Sequence, residues 1–185
     1  MKILAVCAGR KDGNSSEMVN HAIRTANVAA DIEVMHLGSK NILFCDGCLT
    51  CDETGKCHIN DDMTPIISQI DNYEAFVFAT PARWSLLSGD MKTFIDRLNP
   101  LAANQKLDGK KAIVFAVGQS EKDDSESIQL AAESVKHFCD NANIEVVDCV
   151  IAVNCLQPRD VCLYTDALKK CHKALTALNQ SIKKG

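Results

Sequence analysis

The segment AFVFATPARWSLLSGDMKTFIDRL, residues 75–98, contains a strand, a loop and a helix in succession. Its first six residues, AFVFAT, form an apolar run with the length and composition of a buried strand. The loop PARWSLLSG begins with proline and has no periodicity. The last nine residues, DMKTFIDRL, have helical spacing, with four apolar residues on one side: Met91, Phe94, Ile95 and Leu98. A buried strand followed by an amphipathic helix is the repeating unit of a parallel α/β sheet.

The same unit recurs along the 185-residue chain. Four more apolar runs predict strands at residues 2–7, 31–37, 111–118 and 144–153. Further helices are predicted at residues 16–29, 61–70, 125–139 and 161–182. This alternation predicts an α/β fold, a doubly wound five-stranded parallel sheet with helices on both faces. We expect a single domain over residues 1–185, with a cysteine-rich loop inserted at about 38–60.

Composition argues against several classes of partner. The chain is 46% hydrophobic and 24% charged, its net charge is −4, and its lysines and arginines form no basic stripe. Nucleic acid and anionic membranes are therefore poor partners. The apolar run at the N-terminus is too short for a signal peptide, and no run approaches the roughly 20 residues that span a bilayer. We expect a cytoplasmic protein whose ten cysteines stay reduced instead of forming a disulfide framework.

The loops after strands one, three and four are the expected ligand site, because doubly wound sheets bind ligands beyond the carboxyl ends of their strands. These loops cover residues 8–16, 81–89 and 118–124. The first, AGRKDGNSS, combines a helix N-terminus with polar and cationic side chains that suit a phosphate: Arg10, Lys11, Asn14, Ser15 and Ser16. It lacks both the P-loop and the dinucleotide glycine spacing. A polar turn in which Ser15 or Ser16 caps the helix is the alternative.

The loop after strand three contains the only tryptophan of the chain, Trp84, next to Arg83 and near Pro81. A flat aromatic ligand could lie against the backbone there, with Trp84 as a wall. A core or interface role for this tryptophan is the alternative.

Residues 44–57, FCDGCLTCDETGKC, place four cysteines at the spacing C-x2-C-x2-C-x5-C. Thiolates spaced in this way can surround one compact cluster. Structural zinc more often uses two separated cysteine pairs or adds a histidine, and His58 follows directly. The spacing favours an iron–sulfur cluster, while a metal-free loop, a zinc site and a disulfide remain open.

The other titratable residues suggest no further site. Six cysteines have no compact spacing and are predicted to be small core residues: Cys7, Cys139, Cys149, Cys155, Cys162 and Cys171. Asp96 and Arg97 are predicted to be surface charges of the helix that follows the Trp84 loop. No Ser/His/Asp or paired-carboxylate pattern indicates hydrolysis, and we predict no catalytic side chain.

Three motifs in this order resemble the NADPH-dependent FMN reductase family of flavodoxin-like proteins: GRKDGNSS, then CDGCLTC…GKC…DDM, then ATPARWSLLSGDMKTFIDR. Within that family the chain is most similar to the iron–sulfur flavoproteins of anaerobes. The likeness covers residues 1–120 by motif and the remainder by the order of elements. It implies a flavodoxin-like fold and a flavin-dependent oxidoreductase that passes electrons between FMN, a [4Fe–4S] cluster and a carrier such as ferredoxin.

The resemblance also implies specific site residues. The FMN phosphate would lie on Arg10, Asn14, Ser15 and Ser16. The flavin ring would rest on Pro81, Ala82, Arg83 and Trp84, with Gly118 and Gln119 on the other side. The cluster would be held by Cys45, Cys48, Cys51 and Cys57. A homodimer or homotetramer is implied as well.

Two departures from the family pattern affect the expected FMN site, and two alternatives to the implied function stay open. Ala8 has no hydroxyl for the phosphate, and Arg83 replaces an aromatic residue, which suggests a positive charge near the ring or near a nicotinamide phosphate. One alternative is an NAD(P)H-dependent FMN or quinone reductase without a cluster. The other, from a different class, is a non-enzymatic zinc-binding structural or docking protein.

Overall fold

Five parallel strands form one sheet in the computed structural model, which describes residues 1–183. The strands are β1 (Lys2–Cys7), β2 (Asp31–His36), β3 (Ala75–Pro81), β4 (Lys111–Val117) and β5 (Glu145–Ala152). Their order in the sheet is β2-β1-β3-β4-β5. This is the flavodoxin-like order, whose switch point lies between β1 and β3. The predicted fold class is confirmed.

Seven helices are described: α1 (Asn14–Thr25), α2 (Thr50–Thr54), α3 (Met63–Gln69), α4 (Gly89–Asp96), α5 (Asn99–Ala103), α6 (Glu126–Asn141) and α7 (Thr165–Ile182). Two of them, α2 and α5, were not predicted, since each is a single short turn in a polar stretch. The predicted serine cap of α1 is wrong. Gly13 is the N-cap residue, and Ser15 and Ser16 are buried inside the first turn. The helix also ends earlier than predicted, at Thr25.

The sheet is buried on both faces, which explains why its central strands are continuous apolar runs. On one face, Leu4 and Val6 of β1 pack with Met91 and Phe94 of α4. On the other face, residues 3, 5 and 7 of β1 pack with helices α1 and α7. Among residues 1–183, none of the helices combines the length and the apolar character needed to cross a membrane.

Backbone hydrogen bonds join the loops at the carboxyl edge of the sheet. The Ala8 N–H donates to the Ala79 carbonyl at 2.8 Å, and the Ala82 N–H donates to the Val117 carbonyl at 2.8 Å. The Gly118 N–H donates to the Ala152 carbonyl at 3.1 Å. The loops after β1, β3, β4 and β5 are thereby held side by side above the switch point.

Candidate functional site

A recess of about 160 Å³ lies at the carboxyl edge of the sheet, and we call it the first recess. The loops after β1, β3, β4 and β5 line it: Gly9, Arg10, Gly13, Asn14, Ser15, Pro81, Arg83, Val117, Gly118, Gln119, Cys155, Leu156, Gln157 and Pro158. Seven of the ten predicted flavin-binding residues are in this lining. The three outside it are Ser16, Ala82 and Trp84.

The N-terminus of α1 opens onto the first recess. Its first-turn N–H groups have no carbonyl acceptor within the helix, and they carry the positive end of the helix dipole. Arg10 adds a full charge, although it also pairs with Asp12 at 3.2 Å in an exposed ion pair that lowers the pKa of the Asp12 carboxyl. An anion such as a phosphate fits this donor set.

The two serines of α1 brace the loop below the first recess. The Ser15 hydroxyl donates to the Ala8 carbonyl at 2.8 Å, and the Ser16 hydroxyl donates to the Arg10 carbonyl at 3.1 Å. Ser16 is buried and also lies 3.4 Å from His36 Nδ1. Ser15 therefore reaches the recess wall, whereas Ser16 holds the Arg10 backbone from behind.

Asn14 connects α1 to the loop after β5. Its Nδ2 donates to the Gln157 carbonyl at 2.8 Å, and its Oδ1 accepts from the Val161 N–H at 3.0 Å. Sequence reasoning missed this loop, whose residues 155–158 line the recess. The signal was present, because the loop also follows a strand and so emerges at the same sheet edge.

Gly9 allows the loops after β1 and β3 to approach each other. Its φ is +87°, in the left-handed region that favours glycine, and a Cβ there would lie 3.2 Å from Pro81 Cγ. The first recess consequently has a wall of backbone where a side chain would otherwise intrude.

A second recess, of about 330 Å³, adjoins the first and shares Arg83, Gly118 and Gln119 with it. Ala82 and Trp84 line this second recess. Reciprocal backbone hydrogen bonds between Arg83 and Leu86, at 2.8 and 3.0 Å, close a tight turn with Trp84 and Ser85 at its tip. Both tip residues have positive φ, +50° and +63°, as a type I′ turn requires. The turn leaves Trp84 99% exposed.

A polar groove on the other side of Arg10 shares Gly9, Arg10 and Arg83 with the first recess. Lys11, His36 and Asp90 also line this groove. Burial, together with the charge of Lys11, lowers the pKa of His36. The groove is therefore cationic through Arg10, Lys11 and Arg83, with Asp90 as its one acidic group among the described lining residues.

The four clustered cysteines line a single cavity of about 40 Å³, which we call the cage. All four are free thiols; Cys45 and Cys48 are exposed, and Cys51 and Cys57 are half-buried. Three left-handed residues shape the loop around them: Gly47, Leu49 and Gly55. Four cysteine sulfurs on one cavity are the type and number of donors that an iron–sulfur cluster takes.

Side chains of α5 and of the loop itself contact the clustered cysteines. Asn99 Nδ2, in α5, lies 3.0 Å from Cys51 Sγ and 2.9 Å from Asp52 Oδ1. Asp46 Oδ1 accepts from the Cys48 N–H at 3.2 Å, and its Oδ2 lies 2.9 Å from His58 Nε2. The Cys48 N–H and then His58 hold the pKa of the exposed Asp46 carboxyl below its usual value.

Asp46, Cys48 and His58 also form a group of three donors within 4.8 Å of one another. This arrangement suits zinc in its ligand types, and all three residues are exposed. Because Cys48 belongs to both sets, one loop cannot serve the three-donor group and the four-cysteine cage together.

Arg97 was predicted on the surface, and that prediction is wrong. Its side chain is buried in the cavity wall beneath the cage, where it forms an ion pair with Asp61. Asp96, next to it, pairs with the exposed Lys92 and also lines the cage cavity. The prediction that the six scattered cysteines are core residues holds for four of them. Burial raises the pKa of the thiols of Cys7, Cys139, Cys155 and Cys171 to about 12, whereas Cys149 and Cys162 are only half-buried. Of these four, Cys155 also lines the first recess.

Comparison with known proteins agrees with this architecture. Two curated relatives are an iron-sulfur flavoprotein of Archaeoglobus fulgidus, 36% identical over 118 residues, and one of Methanocaldococcus jannaschii, 30% identical over 122 residues. The matches cover 61% and 65% of this chain, but only 54% and 63% of the relatives, so the chain spans less than two thirds of either one.

Among solved structures, an NAD(P)H:quinone oxidoreductase from Methanothermobacter marburgensis has a TM-score of 0.75 at 17% identity, covering 96% of each chain. A flavone reductase has a TM-score of 0.76 at 17% identity, covering 99% of this chain and 63% of its own. At these identities the two structures share the fold. The sequence model described as NADPH-dependent FMN reductase matches residues 1–154. The chain belongs to the NADPH-dependent FMN reductase family.

Proposed function

We propose that the protein is an FMN-dependent oxidoreductase that passes electrons between FMN, a [4Fe–4S] cluster and a carrier such as ferredoxin. The observation that carries the proposal is the cage: Cys45, Cys48, Cys51 and Cys57, and none of the other six cysteines, line one small cavity. Family membership and the names of the two curated relatives support it.

FMN would occupy the two adjoining recesses. Its phosphate would be held in the first recess by the N-terminus of α1, with Arg10 supplying charge and Ser15 and Asn14 shaping the wall. Its ring would rest in the second recess against Ala82, Arg83 and Trp84, with Pro81 of the first recess beside it and Gly118 and Gln119 opposite. Ser16 would act indirectly, since its hydroxyl holds the Arg10 carbonyl.

Bound FMN would supply hydride chemistry with NAD(P)H and single-electron chemistry with the cluster or a quinone. The chain contributes binding and orientation, and it needs no side-chain acid or base for this role. Arg83 lines both recesses and the cationic groove, where it would meet the phosphates of a nicotinamide donor.

The proposal includes the cellular setting. Free thiols in the cage fit a reducing compartment, so the protein would work in the cytoplasm. The chain would form a single domain. A homodimer or homotetramer would cover the exposed apolar side chains around the two sites, among them Trp84, Leu86, Phe44 and Leu49.

One experiment tests the proposal against both alternatives. The protein is purified without oxygen, and its absorption spectrum is recorded with assays of flavin, iron, zinc and acid-labile sulfide. One FMN and about four irons per chain, with a broad brown shoulder, support the proposal. Flavin without iron favours an NAD(P)H-dependent FMN or quinone reductase. A colourless protein that contains zinc favours a non-enzymatic docking protein that uses Asp46, Cys48 and His58.

A further inference from the structure

Arg97 is the largest fully buried side chain of the described residues, with 1% of its surface exposed. It follows the last residue of α4, so the helix fixes the position of its backbone. A guanidinium removed from water is costly unless its charge is paired and its N–H groups are bonded. The contacts of Arg97 therefore indicate what its burial achieves.

The guanidinium joins the two ends of the cysteine loop. Nη1 donates to the Leu43 carbonyl at 2.7 Å, and Nη2 donates to the Ile59 carbonyl at 3.3 Å. Leu43 lies two residues before Cys45, and Ile59 lies two residues after Cys57. One side chain thus holds both chain segments that enter and leave the cage.

Asp61 completes the contact from the opposite side. Its carboxylate receives a bidentate pair of hydrogen bonds from Arg97, Nη1 to Oδ2 at 2.6 Å and Nη2 to Oδ1 at 3.1 Å. It also accepts from the Leu43 N–H at 2.8 Å and the Met63 N–H at 2.9 Å. Leu43 is consequently held through both its N–H and its carbonyl, and the ion pair acts as a latch across the base of the loop.

One donor of Arg97 has no acceptor. Its Nε is buried and has no hydrogen-bond partner among residues 1–183, and the side chain lines the cage cavity together with all four cysteines. Burial alone would lower the pKa of the guanidinium, but the hydrogen bonds and the charge of Asp61 raise it above its usual value. A buried N–H without an acceptor destabilises the fold, and a sulfur acceptor in the cage would remove that cost.

We propose that Arg97 is a positioning residue of the cage and that its buried charge favours the reduced state of the cluster held there. The inference rests on the proposed function. Reduction adds one negative charge to a cluster. Arg97 lines the cage whereas its partner Asp61 does not, so the guanidinium is the pole of the buried ion pair that faces the cluster and stabilises the added charge. The carboxylates of Asp46, Asp52 and Glu53 are exposed and screened, and Asp96 is paired with Lys92.

Two substitutions separate the positioning role from the charge. Arg97→Gln removes the charge, and Arg97→Lys keeps it but cannot form the four-acceptor contact. Lys106→Gln is the matched control, because it removes one positive charge from an exposed ion pair with Asp71, and neither residue lines the cage. The measurements are iron release to a ferrous chelator and the midpoint potential of the clusters that remain, on anaerobically prepared holoprotein.

Both Arg97 variants are expected to release iron at least tenfold faster than wild type, with Lys106→Gln unchanged. Arg97→Gln is expected to shift the reduction equilibrium at least tenfold toward the oxidised cluster, which is 59 mV for a one-electron couple. Arg97→Lys should keep a potential close to that of wild type. A purely structural arginine would leave the potential of the surviving clusters unchanged in both variants.

If Arg97→Gln does not fold, the double variant Asp61→Leu/Arg97→Met replaces the buried pair with apolar groups, which usually preserves folding. Iron release as slow as in wild type from that folded variant overturns the positioning role. Wild-type protein with flavin and no iron overturns the cluster proposal and this inference together. Wild-type protein with four irons whose release and potential are unaffected by Arg97→Gln overturns this inference alone.

Discussion

The carboxyl edge of the sheet and the cysteine loop are built by different means. Strands β1, β3 and β4 bury nearly every residue, and backbone hydrogen bonds join the loops above them. Residues 43–50 of the cysteine loop are all exposed, and the Arg97–Asp61 pair holds its base. Apolar packing therefore supports the two recesses proposed for FMN, whereas one charged contact supports the cage. The two sites should be separable by mutation.

The largest expected effect is the loss of the cluster with the flavin retained. Cys57→Ser removes one cage ligand, and we expect iron to fall from about four per chain to near zero, while FMN stays near one per chain. Iron and flavin assays on anaerobic samples measure both quantities. Cys149→Ser, at a half-buried cysteine outside the cage, is the control and should keep both cofactors. Loss of FMN together with iron in Cys57→Ser would show that the two sites depend on each other.

The next effect concerns stability. Asp61→Asn leaves the buried Arg97 without its anionic partner, and we expect the free energy of unfolding to fall by about 3–5 kcal/mol. Urea denaturation at neutral pH measures this change. Asp71→Asn breaks an exposed ion pair with Lys106 and is expected to cost about 0.5 kcal/mol or less. Equal losses in the two variants would mean that the latch is energetically an ordinary surface pair.

The difference between the two regions also explains which features could be predicted from sequence. Strand β3 was predicted within one residue, because a strand buried on both faces produces a continuous apolar run. The recess followed from topology, since the ends of parallel strands meet at one edge. The loop after β5 could have been included by the same rule.

The sequence pattern indicates where Arg97 lies on its helix but not which residue it pairs with. It lies three residues after Phe94, so helical spacing brings it close to the buried side of α4. Nothing local identifies Asp61, 36 residues earlier in the chain, as its partner. The short helix α5, which brings Asn99 to Cys51, has no periodic signal because it is a single turn. Long-range polar contacts of this kind leave no pattern in one sequence.

A smaller effect is expected at the wall of the first recess. Gly9→Ala places a side chain on a residue with φ of +87° and brings a Cβ to 3.2 Å from Pro81 Cγ. We expect a stability loss of about 1–2 kcal/mol and FMN binding weakened about tenfold, measured by flavin fluorescence titration. Gly109→Ala has similar backbone strain, with φ of +73° and open space around it, and should cost stability without weakening FMN binding. Equal FMN affinity in the two variants would show that Gly9 does not contribute to FMN binding.

The smallest effect compares the stability contributed by one ordinary hydrogen bond with that of the Arg97–Asp61 ion pair. The Tyr73 hydroxyl donates to Glu33 Oε2 at 2.6 Å, and Tyr73→Phe should lower the free energy of unfolding by about 1 kcal/mol.

Burial, and then Glu33, raise the pKa of Tyr73 to about 12 from an ordinary value of 10.0. Because the folded state favours the neutral phenol, this stabilisation is complete below pH 10 and is lost as the pH rises toward 12. Urea denaturation of wild type and Tyr73→Phe between pH 8 and about pH 11 should therefore give a stability difference that is constant at first and then shrinks. A difference that stays constant to the highest pH would mean that Tyr73 contributes through packing alone. The Asp61–Arg97 pair would then be the stronger candidate for a polar contact that stabilises this fold.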